Sequence, residues 1–201
     1  MSQQPNEYRL VAFDPGGTIG WALFVVDCHA FSRPENKVMR YLKEWDCGEF
    51  TGPEHEQLAH CVTLITAAHF GEMPFNSTTD IIAEDFELTQ LIGGKNLLSP
   101  VRINAVLDWE CRKQGLTLQL QARQLRTSVT KQRLKLFGFE GKFRKDEFSA
   151  MQHGVTWLRR VKQKSIDQPW KLSDEISHNA YWDCACSESY SDWPCDLNHP
   201  R

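Results

Sequence analysis

The stretch Leu10-Val11-Ala12-Phe13-Asp14-Pro15-Gly16-Gly17-Thr18-Ile19-Gly20-Trp21-Ala22-Leu23-Phe24 decides how this chain folds. Tyr8 to Phe13 is an apolar run that ends on Asp14. Pro15, Gly16 and Gly17 follow, and residues of these types supply the backbone angles of a tight turn. From Gly20 to Val26 the apolar character resumes through Trp21, Leu23, Phe24, Val25 and Val26. Two apolar runs joined by a Gly-rich turn predict an antiparallel pair of strands. One carboxylate, Asp14, stands where the first strand ends.

Outward from this pair, Val38 to Phe50, built around Met39, Tyr41 and Trp45, predicts a third strand whose polar interruptions put it at a sheet edge. Pro53 to Phe70 carries Leu58, Cys61, Val62, Leu64, Ile65 and Ala68 at helical spacing, framed by Pro53 and Gly71. Thr79 to Phe86 is a strand in which Ile81-Ile82-Ala83 runs into Glu84-Asp85. A helix from Pro100 to Gln114 stops at Gly115, and Leu116 to Leu120 is a strand. Arg123 to Phe137 and Lys145 to Lys162 predict two more helices. Three consecutive strands, then alternating helices and strands, give an α/β fold with a mixed sheet covered by helices. Residues 1–165 are expected to form this domain, and 166–201, where periodicity gives way to Cys, Trp, Ser and Pro, an irregular tail.

The chain has 201 residues and is 41% hydrophobic, enough for one sizeable core, which excludes wholesale disorder. No apolar run approaches the roughly 20 residues of a membrane span, and Met1 to Asn6 lacks the layout of a signal peptide. The seven cysteines are odd in number and scattered, unlike a disulfide framework. The net charge of −3 is unevenly spread: residues 121–164 hold 12 Lys and Arg against 3 Asp and Glu. A basic segment on an acidic chain suits a polyanionic partner. A solvated helical face would give the same count. Lys131, Arg133, Lys142, Arg144 and Lys145 are the candidate phosphate contacts. In the tail, Cys184, Cys186, Cys195 and His199, with His178, could ligate zinc, but their spacing is not that of a standard finger.

Three acids stand out by placement: Asp14 ends the first strand, Glu84 ends a buried one, and Asp146 opens the last helix. Singly these are a turn former, a solvated glutamate and a helix cap. Jointly, carboxylates at neighbouring strand ends converge on one sheet edge, where a facing helix can add a third. Hard oxygen ligands so arranged suit Mg²⁺ or Mn²⁺ and phosphodiester hydrolysis.

Val11 to Ala22 resembles the opening motif of RuvC-like Holliday junction resolvases, those of bacteriophages above all: an apolar strand, Asp-Pro-Gly, then Thr-Gly-Trp/Tyr-Ala. Ile81 to Phe86 resembles the family's second motif, a strand ending in the catalytic Glu. Leu98 to Arg102 and Gln121 to Gly138 are similar to the phage members, and Asp146 to His153 resembles the last motif. The resemblance runs from about Leu10 to Arg160. It implies an RNase H-like fold and a metal-dependent endonuclease that resolves four-way junctions or other branched DNA. Asp14, Glu84 and Asp146 would be its catalytic metal ligands, and Lys131 would lie near the scissile phosphate. It also implies a homodimer, for which the helices Pro53–Phe70 and Pro100–Gln114 are the candidate interface elements because their apolar stripes are broad. The N-terminal sequence and the hydropathy give a cytoplasmic protein (in the host cell if phage-encoded). The chain departs from the family at Ser149, where a second acid belongs in the last motif. Either three acids suffice, or Asp85 or Glu147 compensates, or the protein holds branched DNA and cuts it weakly. Actin-like and sugar-kinase nucleotide-binding proteins share the Asp-x-Gly-Gly-Thr signature, but this chain is short for their two domains. Other RNase H-like nucleases fit the opening motif less well.

Overall fold

The computed structural model describes residues 7–31, 41–70, 77–86 and 99–163. Its elements, in chain order, are β1 (Glu7–Asp14), β2 (Ile19–Asp27), the short α1 (Cys28–Phe31), β3 (Leu42–Phe50), α2 (Glu54–Phe70), β4 (Ser77–Asp85), α3 (Ser99–Lys113), β5 (Leu118–Ala122), the short α4 (Arg123–Arg126), α5 (Lys131–Leu136) and α6 (Lys145–Lys162). The five strands form one sheet in the order β3-β2-β1-β4-β5. β1 pairs antiparallel with β2, and β2 with β3, while β1–β4 and β4–β5 are parallel. This is the expected mixed sheet, with β3 at an edge.

The alternation of side chains along a strand assigns each face of the sheet its own core. Tyr8, Leu10 and Ala12 of β1, with Ala22, Phe24 and Ile82, pack with α6 residues Ala150, Met151, Val155, Trp157 and Leu158. Val11 and Phe13, with Ile81 and Ala83, face Cys61 and Ile65 of α2 and Ile103, Leu107 and Cys111 of α3. Both faces of β1 and β4 are thus covered, which explains why their sequences read as unbroken apolar runs. Asp14 continues the even-numbered face of β1, and Glu84 that of β4, so both carboxylates point to the α6 side.

Two glycines permit the close approach of α6 to the sheet. A Cβ on Gly20 would lie 2.0 Å from the carbonyl oxygen of Asp146, and one on Gly154 would lie 2.1 Å from the ring of Phe24. Gly20 is also the cross-strand partner of Asp14. The first turn of α6 therefore rests on the strand pair beside the candidate acid.

The structure corrects two element boundaries. The helix expected over Arg123–Phe137 is broken into α4 and α5. Thr127 and Ser128 turn their hydroxyls onto the carbonyls of Gln124 and Leu125, and Thr130 caps α5 by accepting from the Arg133 N–H. Hydroxyl side chains that bond the local backbone end one helix and begin the next. The strand expected over Leu116–Leu120 runs instead from Leu118 to Ala122, because Leu116 closes the turn after α3 by donating to the carbonyl of Cys111. Residues 38–40 of the expected third strand and the whole tail with its Cys and His residues lie outside the described residues.

Candidate metal centre at the carboxyl ends of β1, β4 and β5

Asp14 ends β1, and Glu84 and its cross-strand partner Gln121 are the penultimate residues of the parallel neighbours β4 and β5. Each strand end is held from the α2/α3 side. Gln57 of α2 is buried; its amide nitrogen donates to the carbonyls of Gly17 (3.0 Å) and Gly52 (2.8 Å), and its Oε1 accepts from the Ile19 N–H (2.9 Å). One side chain thereby pins the Pro15–Thr18 turn that follows Asp14. Asn104 of α3 donates to the carbonyl oxygen of Glu84 at 3.0 Å.

From the other side α6 lays Asp146, Ser149 and His153 over the strand ends, positions that share one helix face. His153 is fully buried, with Nε2 2.9 Å from Glu84 Oε2 and Nδ1 3.0 Å from Gln121 Oε1. Asp14, Glu84 and His153 each offer one ligand atom, all within 4.8 Å of one another. Asp146 does not belong to this group. It is half-buried at the start of α6, whose first N–H groups, those of Asp146 and Glu147, point at the Glu49 carboxylate of β3. The Ser149 hydroxyl lies 3.2 Å from the Lys145 carbonyl and within reach of Asp14, and its one proton goes to either acceptor, so it can orient the acid instead of adding one. Glu147 is engaged elsewhere: it accepts from the Arg144 N–H and from the Cys47 thiol.

A guanidinium sits between the carboxylates. Arg126 Nη1 is 2.9 Å from Glu84 Oε2 and 3.4 Å from Asp14 Oδ1, and its side chain is 13% exposed. Neither carboxylate lies along an N–H direction of that nitrogen, so the contact is charge on charge and not a directed hydrogen bond. Arg123 Nε, 3.7 Å from Glu84 Oε1, is exposed and contributes less.

The electrostatics separate the two acids. Burial, reinforced by the neighbouring Glu84 charge, pushes Asp14 up to about 7, against the pull of Arg126 and Ser149. Burial also acts to raise Glu84, but its hydrogen bond to His153 and the Arg126 charge outweigh burial and hold it below its ordinary value. His153 is lowered by burial, which the Glu84 contact only partly offsets. Asp146 is raised, by burial first and by Glu49 besides, with Lys145 opposing. Two carboxylates this close, one of which resists ionisation, form a site short of positive charge.

Lys131, Arg133, Lys142, Arg144 and Lys145 are all exposed on α5, the following loop and the start of α6. Lys131 lies over the Phe148 ring of α6, 5.4 Å from its centroid, and Arg144 Nη1 is 3.7 Å from Glu49 Oε2. They share the α6 side of the sheet with the carboxylates.

The sequence marks Asp14 and Glu84, and the structure brings them together. It also reveals His153 and Gln121, which the sequence does not single out as site residues, and it sets Arg126, which the sequence offers as one of the phosphate-holding basic residues flanking the acids, directly on the two carboxylates. His153 has a legible signal, four residues beyond Ser149 on the same helix face. Gln121 has none.

No protein-family model and no curated protein matches the sequence. Solved structures do. Thermus thermophilus RuvC in complex with a Holliday junction substrate aligns with a TM-score of 0.50 and 11% identity, over 78% of this chain and 96% of that one. A second structure of Thermus thermophilus RuvC gives a TM-score of 0.51 and 10% identity with the same coverage. The chain therefore has the RuvC type of RNase H-like fold. Among the described residues no helix is long and apolar enough to cross a membrane.

Proposed function

We propose that this protein is a divalent-metal-dependent endonuclease that resolves four-way junctions or other branched DNA. The observation that carries the reading is the convergence of Asp14 and Glu84 at adjacent parallel strand ends, on a fold shared with a protein solved on a Holliday junction substrate. The opening motif's resemblance to the bacteriophage resolvases supports the same assignment.

The residues present fit a divalent cation. Two ligands of one Mg²⁺ stand at most about 4.2 Å apart at its preferred distances, so atoms within 4.8 Å need only small side-chain adjustments. The raised Asp14 marks a cluster that gains from added positive charge. Asp14 and Glu84 would hold the ion, with Asp146 at the rim. Bound there, Mg²⁺ or Mn²⁺ supplies phosphate neutralisation and water activation. The chain's own residues do the rest. Gln57 and Asn104 fix the strand ends, Ser149 orients the Asp14 carboxylate, and Lys131, Arg133, Lys142, Arg144 and Lys145 seat the backbone phosphates that set register.

A junction presents paired strands, so the reading includes a homodimer with two sites about a two-fold axis. In its favour, Trp109 on α3 is 64% exposed and Phe70 at the end of α2 is 56% exposed. Residues 1–165 would be the nuclease domain and 166–201 an appended tail. The test is a synthetic four-way junction incubated with the protein in Mg²⁺, Mn²⁺ or EDTA. Cleavage that needs the metal is expected, and undiminished cleavage in EDTA would overturn the reading.

A further inference from the structure

We propose that His153 is a nitrogen ligand of the cation and that Gln121 sets the imidazole tautomer that permits this, so that the site takes Mn²⁺ in preference to Mg²⁺. The inference deepens the metal reading above and rests on it.

The imidazole of His153 is placed as a ligand and not as a core filler. It is fully buried, yet its Nε2 faces a carboxylate of the candidate centre at 2.9 Å. Its Nδ1 faces the side-chain amide of a buried glutamine at 3.0 Å. Histidines that bind metals through one ring nitrogen characteristically donate the other N–H to a fixed acceptor, which sets both tautomer and orientation. Gln121 Oε1 is that acceptor. The location of Gln121 is set by β4–β5 pairing, which makes it the partner of Glu84 itself.

The glutamine is suited to both states of the ring. With a proton on Nε2 facing Glu84, Nδ1 is an acceptor and needs a donor. With the Nε2 lone pair facing a cation, Nδ1 carries the proton and needs an acceptor. A half-turn of one amide meets both needs. The amide nitrogen of Gln121 has no other hydrogen-bond partner among the described residues, so no second bond holds the amide in one orientation. A glutamate would serve only the coordinating tautomer, and a leucine neither.

An oxygen, oxygen, nitrogen set has a consequence for the choice of ion. Mg²⁺ favours oxygen donors and strict octahedral geometry. Mn²⁺ accepts imidazole more readily. His153 also stands one helical turn beyond Ser149, so the third donor that the acid position fails to provide arrives from the same face of α6.

The experiment is Mn²⁺ binding to the full chain, followed by calorimetry and by pulsed electron paramagnetic resonance. Wild-type protein should show a ¹⁴N coupling from directly bound imidazole, and His153→Asp should lose it while still binding Mn²⁺. The preference for Mn²⁺ over Mg²⁺ should fall about ten-fold in His153→Asp. Gln121→Leu should weaken Mn²⁺ binding by about 10- to 100-fold, and Gln121→Glu should restore it, a rescue that mere space-filling would not give. Mn²⁺ bound by the wild-type protein without ¹⁴N coupling overturns this inference alone. Failure of Mn²⁺ to bind at all overturns the metal reading with it. Coupling present in a protein that leaves junctions uncut overturns the nuclease reading and upholds this one.

Discussion

The two ends of the β1–β4 strand pair place buried acids under the same helix and treat them in opposite ways. At the amino end, Asp80 of β4 accepts from the Tyr8 hydroxyl at 2.7 Å and from the Trp157 indole at 3.3 Å, and the indole also donates to the Tyr8 oxygen at 3.0 Å. Burial raises Asp80, and the two neutral donors pull it back. At the carboxyl end, Asp14 and Glu84 share a single guanidinium off its hydrogen-bonding directions, and Asp14 is held near 7. Satisfied buried polar groups hold a core in one arrangement, whereas a charge-crowded pair is strain that a ligand can relieve. On the proposed function, the first end serves stability and the second binding.

The largest effect should separate the ends by activity. Asp14→Asn is expected to reduce junction cleavage about a thousand-fold or more, roughly 4 kcal/mol of transition-state stabilisation, while junction binding by gel shift stays near wild type. Asp80→Asn should leave cleavage unchanged. Comparable losses in the two variants would erase the distinction.

Stability should divide the ends the other way. Asp80→Ala removes the acceptor shared by the Tyr8 hydroxyl and the Trp157 indole and is expected to cost about 2–3 kcal/mol, read from urea unfolding. Asn at the same position keeps an acceptor and should cost less. A fully stable Asp80→Ala protein would show that the amino end is ornamental.

Next in size is the guanidinium. Arg126 and a cation draw on the same two carboxylates, so Arg126→Gln is expected to bind Mn²⁺ about ten-fold tighter, or roughly 1.4 kcal/mol, and to gain more in melting temperature when metal is added. Weaker binding in this variant would instead make Arg126 a support for the ligands.

A smaller change is expected from Ser149→Asp. It puts a carboxylate where the hydroxyl orients Asp14, so the metal-free protein should melt lower and the metal concentration for half-maximal cleavage should fall a few-fold. An unchanged half-saturation with lower activity would show that the serine's bond to Asp14 matters more than an added ligand.

The last effect, read in melting temperature and not in activity, is the pH dependence that Asp14 confers. Its folded value, about 7, lies above its ordinary 3.8, so the folded state favours the protonated acid. That contribution is fully present below about pH 4 and is lost as pH rises through about 7. In EDTA, Asp14→Asn should therefore melt a few degrees above wild type at pH 8, with the gap closing toward pH 4. A gap that is constant with pH would mean that Asp14 ionises freely in the fold.

The sequence by itself determined the features that arise from local patterns. Apolar runs on either side of the Pro-Gly-Gly turn made β1, β2 and the place of Asp14 legible, and the Ile81-Ile82-Ala83 run did the same for Glu84. The mixed character of the sheet followed from the succession of elements, while its strand order is set by the tertiary pairing of β1 with β4. The break between α4 and α5 escaped because the hydroxyls of Thr127, Ser128 and Thr130 could as well have faced solvent along an unbroken helix. The composition of the site was decided only by tertiary structure. His153 meets Glu84 across 69 positions and Gln121 across 32, and Arg126 reaches back from the turn after β5 to both acids. Such contacts depend on how closely α6 descends on the sheet, which Gly20 and Gly154 permit and no local pattern encodes. Asp146 and His153 stand two helical turns apart, roughly 10 Å along α6, and the packed core beneath the helix decides that His153 meets Glu84.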